Sequence, residues 1–228
     1  MSRLTVLQRT IAVCRLCPRL VAHREQVARV KVRRFRACDY WGKPLPGFGP
    51  ATARLLIVGL APAAHGGNRT GRIFTGDRSG DWLYRALHAA GFASQPHSVS
   101  RDDGMRLNDC YITAAVRCAP PGNKPLPEEF EQCRHFLVEE LRLLRRVRVV
   151  IALGRIAFEG YLKACWELGR SLPRPLPGFG HGKIHRLPWG VTLIGSYHPS
   201  QQNTFTGRLT APMFAAVFAA AGRALKRP

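Results

Sequence analysis

Four short apolar runs, each followed by a loop and then a segment of helical spacing, constrain the fold of this chain most. The runs span residues 54–60, 110–116, 148–154 and 191–197. Helical patterns cover residues 81–90, 127–144, 155–168 and 211–225. Continuous apolar runs of this length are typical of strands buried on both faces of a parallel sheet. The alternation predicts an α/β fold, a single domain with a central, mainly parallel four-stranded sheet flanked by helices.

The loops after these strands should meet at one edge of the sheet, where ligands bind in such folds. Residues 59–80 contain six glycines together with Phe74 and Asp77, and the last strand ends at His198. Glycine allows a backbone to approach a ligand closely. Each side chain also has a simpler interpretation: Asp77 as a helix cap, Phe74 as a core residue and His198 as a structural histidine. The loop lacks the Gly-Lys-Ser/Thr of a phosphate-binding Walker loop.

The chain is strongly basic, with 35 Lys and Arg against 14 Asp and Glu and a net charge of +21. A field of this size attracts polyanions. Residues 1–36 contain ten Arg and Lys and one acid, Glu25. Within them, residues 29–36 mix cations with apolar side chains, which favours a DNA-facing strand or loop whose cations neutralise phosphates. The alternative is a solvated basic face.

Four of the seven cysteines have the spacing of metal ligands. Cys14 and Cys17 form a C-x-x-C pair, Cys118 follows a predicted strand and Cys133 lies in the next predicted helix. Four thiolates can hold an iron–sulfur cluster or a zinc ion. Four unrelated core cysteines are the alternative. Cys38, Cys110 and Cys165 fit no such scheme.

No membrane span or secretory signal is expected. No apolar run reaches the roughly 18 residues that a span needs, and the first residues lack the core and cleavage pattern of a signal peptide. We therefore expect a cytoplasmic protein made of one domain, residues 1–228.

Several segments together resemble a known family. They are residues 59–65 (GLAPAAH), 69–77 (RTGRIFTGD), 116–125 (VRCAPPGNKP), 153–155 (LGR) and 195–204 (GSYHPSQQNT). In order and spacing, from about residue 11 to the C-terminal helix, the chain resembles the uracil-DNA glycosylase superfamily. It looks most like the type-B (family 5) branch, because apolar Leu60 and Ala114 stand where other branches carry polar residues.

The resemblance implies a DNA-repair enzyme that hydrolyses the N-glycosidic bond of uracil, and of hypoxanthine and other damaged bases, without strand cleavage. It implies that Asp77 positions water, that His198 bonds the uracil carbonyl, that Phe74 stacks on the extruded base and that Asn123 contacts the base. It also implies a 4Fe–4S cluster on Cys14, Cys17, Cys118 and Cys133, in preference to zinc, tying the basic segment 1–50 to the sheet.

The remaining site expectations concern the base pocket and the DNA. Base binding is assigned to the first loop, at Gly59, Ala61, Ala63 and His65. DNA contact is assigned to Arg69, Ser200, Gln201, Gln202 and Phe205. The expected partner is DNA with deaminated bases, bound by a nucleoid-associated monomer. Two rivals remain: a metal-stapled nucleic-acid-binding module without activity, and a redox-active iron–sulfur protein.

Overall fold

The computed structural model describes residues 1–226. The helices are α1 (Arg3–Ala12), α2 (Pro18–Val30), α3 (Gly67–Thr70), α4 (Arg78–Ala89), α5 (Pro127–Leu143), α6 (Arg155–Glu167), α7 (Gln201–Phe205) and α8 (Ala211–Lys226). The strands are β1 (Leu55–Gly59), β2 (Cys110–Ala114), β3 (Val149–Leu153), β4 (Ile184–Arg186) and β5 (Thr192–Ser196). Each of the four predicted strands and four predicted helices is present.

The sheet has the order β2-β1-β3-β5-β4. Strand β1 pairs in parallel with β2 and β3, and β3 pairs in parallel with β5. Every residue of β1, β2 and β3 is buried, as expected for strands covered on both faces. The four parallel strands therefore end at one edge, and the predicted loops follow them there.

The sheet has five strands, one more than the four that the sequence predicts. Residues Ile184–Arg186 form a fifth, edge strand that pairs antiparallel with β5. It has only three residues, and Ile184 and Arg186 are exposed. Because it is short and half-solvated, it lacks the continuous apolar run that identified the other strands.

The two faces of the sheet carry separate apolar cores. Leu55 and Ile57 pack in one core with residues of α4 and α8. Leu56 and Val58 pack in the other with residues of α1, α5 and α6. The alternation along β1 thus fixes the helices on both sides of the sheet.

The N-terminal segment is helical, and the expected strand or loop over residues 29–36 is corrected accordingly. Helix α2 extends to Val30, and a 3-10 turn covers Arg33–Phe35. Buried Leu4 of α1 packs in the second core, so apolar packing also fastens this segment. The division of the chain into domains stays a prediction, and residues 227–228 lie outside the described part. No helix within residues 1–226 is long and apolar enough to cross a membrane.

Candidate active site

Phe74 and His198 meet at the carboxyl edge of the sheet, beside the end of β1. Their ring centroids are 5.8 Å apart. A Cβ at Gly59 would lie 2.8 Å from the Phe74 ring, so only glycine fits beneath it. The loops after β1 and β5 therefore converge as the sequence predicts.

Phe74 is held in an unusual conformation. Its φ is +55°, in the left-handed region that non-glycine residues rarely adopt. Its backbone packs tightly on α4, where a Cβ at Gly80 would lie 2.6 Å from the Phe74 carbonyl carbon. The Tyr84 hydroxyl donates a 3.1 Å hydrogen bond to the neighbouring Ile73 carbonyl. Backbone strain that the surroundings enforce is typical of functional sites.

His198 is an uncharged histidine at neutral pH. Burial lowers its pKa to about 4, because the charged imidazolium loses hydration there. The Asn203 side chain donates a 2.8 Å hydrogen bond to the His198 carbonyl, which ties the loop after β5 to helix α7. A neutral imidazole retains one N–H donor for a ligand.

Asp77 is a helix cap that also faces the first loop, and we group it with Phe74 and His198 as the candidate cluster. Its Oδ1 accepts a 2.9 Å hydrogen bond from the Gly80 N–H, which confirms the capping interpretation. Its other oxygen faces the first loop, because a Cβ at Gly66 would overlap Oδ2 and lie 2.7 Å from Cγ. Burial raises the pKa of Asp77, only partly offset by hydrogen bonds from the Gly80 and Ser79 N–H groups and by Arg69. One carboxylate oxygen is thus committed to the helix and the other to the loop.

Arg69 braces the first loop. Its guanidinium donates to the His65 carbonyl at 2.8 Å and to the Gly76 carbonyl at 2.9 Å. Its Cζ also lies 3.9 Å from the centre of the Phe35 ring. These contacts give Arg69 a positioning role, and its DNA contact stays a prediction.

His65 is held from the N-terminal segment by Tyr40, a residue that the sequence did not reveal. The Tyr40 hydroxyl and His65 Nδ1 are 2.9 Å apart. Burial, with nearby Arg34 and Arg69, lowers the pKa of His65. Ala61 and Ala63 are half-buried in the same loop. No sequence spacing links residue 40 to residue 65, so this contact needs the fold.

The other predicted DNA residues cluster on one surface element. The expected polar loop after His198 contains helix α7, which Ser200 caps through its hydroxyl. Gln201 and Gln202 are exposed on it, and 65% of Phe205 is exposed. Asn123 is exposed at a left-handed turn with φ +57° in the loop after β2. Their roles stay predictions.

The floor of the site lacks a polar side chain where β2 ends. Ala114 is 1% exposed and pairs with Gly59 in the parallel register. Leu60 follows Gly59, and its carbonyl accepts a 2.9 Å hydrogen bond from Val116. These two positions therefore offer no side-chain hydrogen bond to a ligand.

The four predicted ligand cysteines line one cavity. Cys14 follows α1, Cys17 precedes α2, and Cys118 and Cys133 are buried opposite them. Burial raises the pKa of the Cys118 thiol to about 11 and of Cys133 to about 12. Within residues 1–226, no group of three or more His, Cys, Asp or Glu has the arrangement of a metal-ion site.

Arg24 lines the same cavity, and the sequence analysis missed it. It is 2% exposed, and its Nη1 donates a 3.0 Å hydrogen bond to Cys118 Sγ. Its Nη2 reaches the Cys14 carbonyl at 3.2 Å, and Nε has no partner. Arg24 follows Cys17 by two helical turns, so the spacing could have placed it on the same face of α2.

Comparisons with known proteins identify a family. A family model described as the uracil DNA glycosylase superfamily matches residues 46–222. The type-5 uracil-DNA glycosylase of Mycobacterium bovis is 55% identical over 209 residues, 91% of this chain and 76% of that protein. The type-5 enzyme of Thermus thermophilus is 55% identical over 214 residues, 94% of each chain. The type-4 uracil-DNA glycosylase of Archaeoglobus fulgidus is 31% identical over 160 residues, 68% of this chain and 70% of that protein.

Proposed function

Because this chain belongs to the uracil DNA glycosylase superfamily, we propose that it is a DNA-repair hydrolase that removes uracil from DNA. It cleaves the N-glycosidic bond and leaves an abasic site. The observation that carries the proposal is the contact of Phe74 with His198 beside Gly59 at the carboxyl edge of the sheet, with Asp77 three residues after Phe74 and its Oδ2 against Gly66 of the same loop. Neither a binding module without activity nor a redox protein needs this convergence.

Phe74 and His198 act on the base. The target nucleotide must leave the duplex before its glycosidic bond can be reached. Stacking of the base on Phe74 contributes roughly 1–3 kcal/mol. The departing base carries negative charge, and a neutral His198 donates its N–H to the carbonyl where that charge gathers. One preorganised donor of this kind typically contributes about 3–4 kcal/mol. The backbone N–H groups of the 61–65 loop, all but that of Pro62, share this task.

Asp77 acts on the sugar side. Its half-buried carboxylate stabilises the positive charge that develops on the sugar and orients the attacking water. The two loops that carry this cluster, residues 59–77 and 195–204, contain no lysine that could form a Schiff base with the sugar. The reaction therefore stops at hydrolysis, and the strand stays intact.

Base selection is loose in this proposal. Ala114 stands at the end of β2 beside Gly59 and offers no amide to read the base. A site built on hydrogen bonds to a base rejects analogues strongly, whereas a site without them rejects them weakly. We therefore expect hypoxanthine and other deaminated bases to be substrates. Asn123 supplies the remaining side-chain contact to the base.

The four cysteines suit a 4Fe–4S cluster better than zinc. Four thiolates from two distant segments can hold such a cluster, its preference over zinc follows from the family resemblance, and all four cysteines line one cavity. Buried Arg24 supports an anionic group, because Cys118 and the Cys14 carbonyl accept from it while its nearest carboxylate, on half-exposed Glu25, is 3.8 Å away. Bound there, the cluster would cross-link the N-terminal helices to the loop after β2 as a structural element.

The partner is DNA that contains deaminated bases. The net charge of +21 favours association with the nucleoid in the cytoplasm, and the enzyme acts as a monomer. The surface of α7, with Gln201, Gln202 and Phe205, would press into the minor groove and fill the gap that the extruded base leaves.

The test uses labelled duplexes with one uracil, one hypoxanthine or normal bases only. After incubation with the enzyme, alkali cleaves any abasic site, and a denaturing gel separates the strands. We expect cleavage of the uracil and hypoxanthine strands with alkali, none without it, and none of the normal duplex. Intact uracil strands after alkali would refute the proposed activity. Intact hypoxanthine strands alone would refute only the broad base selection.

A further inference from the structure

Three exposed arginines at the carboxyl edge of the sheet lie with their guanidinium groups over aromatic rings. The distances from Cζ to the ring centre are 4.6 Å for Arg78 over Phe205, 4.7 Å for Arg208 over Tyr197 and 5.6 Å for Arg155 over Phe179. We propose that these arginines, the ring-mounted arginines, grip the phosphates that flank the extruded nucleotide. The proposal rests on the proposed function, and it names the residues that hold the DNA strand.

Each ring-mounted arginine adjoins a residue of the candidate active site. Arg78 directly follows Asp77 in the chain. Arg208 covers Tyr197, the residue before His198. Arg155 follows Gly154, where a Cβ would lie 3.7 Å from the Cβ of His198. Each of the three cations is therefore joined, through the chain or through its ring, to a residue of the candidate site.

Two of the rings are fixed from below. Phe179 meets fully buried Phe158 edge-on, with centroids 5.7 Å apart. Tyr197 stacks on His181 at 5.0 Å, with the planes inclined by 19°. His181 Nδ1 also accepts a 3.1 Å hydrogen bond from the Tyr197 N–H. These contacts hold the rings of Phe179 and Tyr197 in place, so their arginines are supported on rigid platforms.

A guanidinium that lies on a ring keeps its donors for another partner. Its face interacts with the π system, while the N–H groups at its edge remain free for a phosphate. Within residues 1–226, Arg78 and Arg208 form no ion pair, and Arg155 has only a 4.0 Å contact with exposed Glu159. Their charges are therefore available, and the rings limit the freedom that binding would remove.

The opposite edge of the sheet provides a matched contrast. Arg145 and Arg146 are exposed in the turn before β3, at the amino end of the strands. In the described part of the chain neither contacts an aromatic ring. They carry the same charge and are also exposed to solvent. Replacing them therefore measures the general attraction of a basic protein to DNA, without the proposed phosphate contacts at the site.

The experiment measures binding to a duplex that contains a tetrahydrofuran abasic analogue, by fluorescence anisotropy over a range of salt concentrations. The variants are Arg78→Gln, Arg155→Gln, Arg208→Gln, their triple combination and the control pair Arg145→Gln/Arg146→Gln. Each lost phosphate contact should lower the slope of log affinity against log salt by about 0.9. Between 50 and 200 mM salt, the wild type should therefore lose about 40-fold more affinity than the triple variant, at about 0.9 per contact.

The control pair should keep the wild-type slope. Arg208→Lys should also keep it but bind more weakly, because lysine retains the charge without the planar group. An unchanged slope in the triple variant would overturn the inference, as would equal losses in the control pair or loss of slope in Arg208→Lys. A parallel uracil-excision assay on the wild type separates the two proposals: absent excision refutes the proposed function, whereas intact excision with unchanged slopes refutes the phosphate grip alone.

Discussion

Replacing Asp77 with asparagine separates the two roles that its position allows. Oδ1 caps helix α4 by accepting a 2.9 Å hydrogen bond from Gly80, while Oδ2 faces Gly66 in the first loop. Asparagine caps helices about as well as aspartate does. The substitution therefore keeps the cap and removes only the negative charge.

The charge should account for a large part of catalysis. Burial raises the pKa of Asp77, so the carboxylate is poorly hydrated and acts strongly on nearby charge. Loss of one preorganised electrostatic group in a site typically costs about 2.7–4 kcal/mol, or 100- to 1000-fold in rate. We expect Asp77→Asn to excise uracil about 100- to 1000-fold more slowly than the wild type, with nearly unchanged DNA affinity and melting temperature.

Asp77→Ala is the companion variant, because it loses the charge and the cap together. Loss of an N-cap costs about 1 kcal/mol of unfolding free energy. For a chain of this size, that lowers the melting temperature by about 2–4 °C. Its excision rate should match that of Asp77→Asn, since the cap supports the helix and takes no part in the reaction.

The assay is single-turnover excision from a duplex with one uracil, with enzyme in excess, alongside thermal unfolding of each variant. Single-turnover conditions report bond cleavage without product release. Near wild-type excision by Asp77→Asn would show that Asp77 only caps the helix. Slow excision by Asp77→Ala with full activity in Asp77→Asn would lead to the same conclusion.

Four further predictions concern the candidate site and the cysteine cavity. Gly66→Ala places a methyl group against the Asp77 carboxylate and should slow excision toward the Asp77→Asn rate. Gly178→Ala is the control and should not slow excision, because a Cβ at Gly178 would have no neighbouring atom within 4 Å. Asp77 must be ionised to act, and burial raises its pKa. As the pH is lowered, excision by the wild type should therefore fall at a pH above the pKa of a free aspartate. This acid limb should be missing from the pH–rate profile of Asp77→Asn. With its pKa lowered to about 4, His198 should add no step near pH 6.5. Cys118→Ser should lose the brown colour and visible absorption of an iron–sulfur protein, whereas Cys38→Ser should keep both; a colourless wild type that contains zinc would contradict the cluster.

The sequence predicts the parts of the fold that depend on local pattern. The four buried strands are continuous apolar runs, and Asp77 stands where a helix cap belongs. Strand β4 is not predicted, because it has three residues, two of them exposed, and so lacks a continuous apolar run. Helix α7 is not predicted, because its residues Gln201–Phe205 are mostly polar and fit a loop equally well, although Ser200 supplies a cap.

The candidate site is predictable to the same extent. Phe74 and His198 can be expected together, because both follow parallel strands that end at one edge. The support around them depends on contacts between distant segments. Arg69 lies on Phe35, Tyr40 bonds to His65, and Arg24 reaches Cys118, and no spacing along the chain joins these pairs. The DNA contact expected of Arg69 stays a prediction, and the fold adds that its hydrogen bonds brace the first loop.

The most direct test of the central claim is the mass of a uracil-containing strand after incubation with the wild-type enzyme. Base hydrolysis at the cluster of Phe74, Asp77 and His198 predicts a full-length strand in which a hydroxyl group has replaced uracil, together with free uracil in solution. The same incubation with Asp77→Asn should leave most strands unchanged over the same time. An unchanged strand with the wild type would contradict the glycosylase assignment, and a cleaved strand would contradict simple hydrolysis.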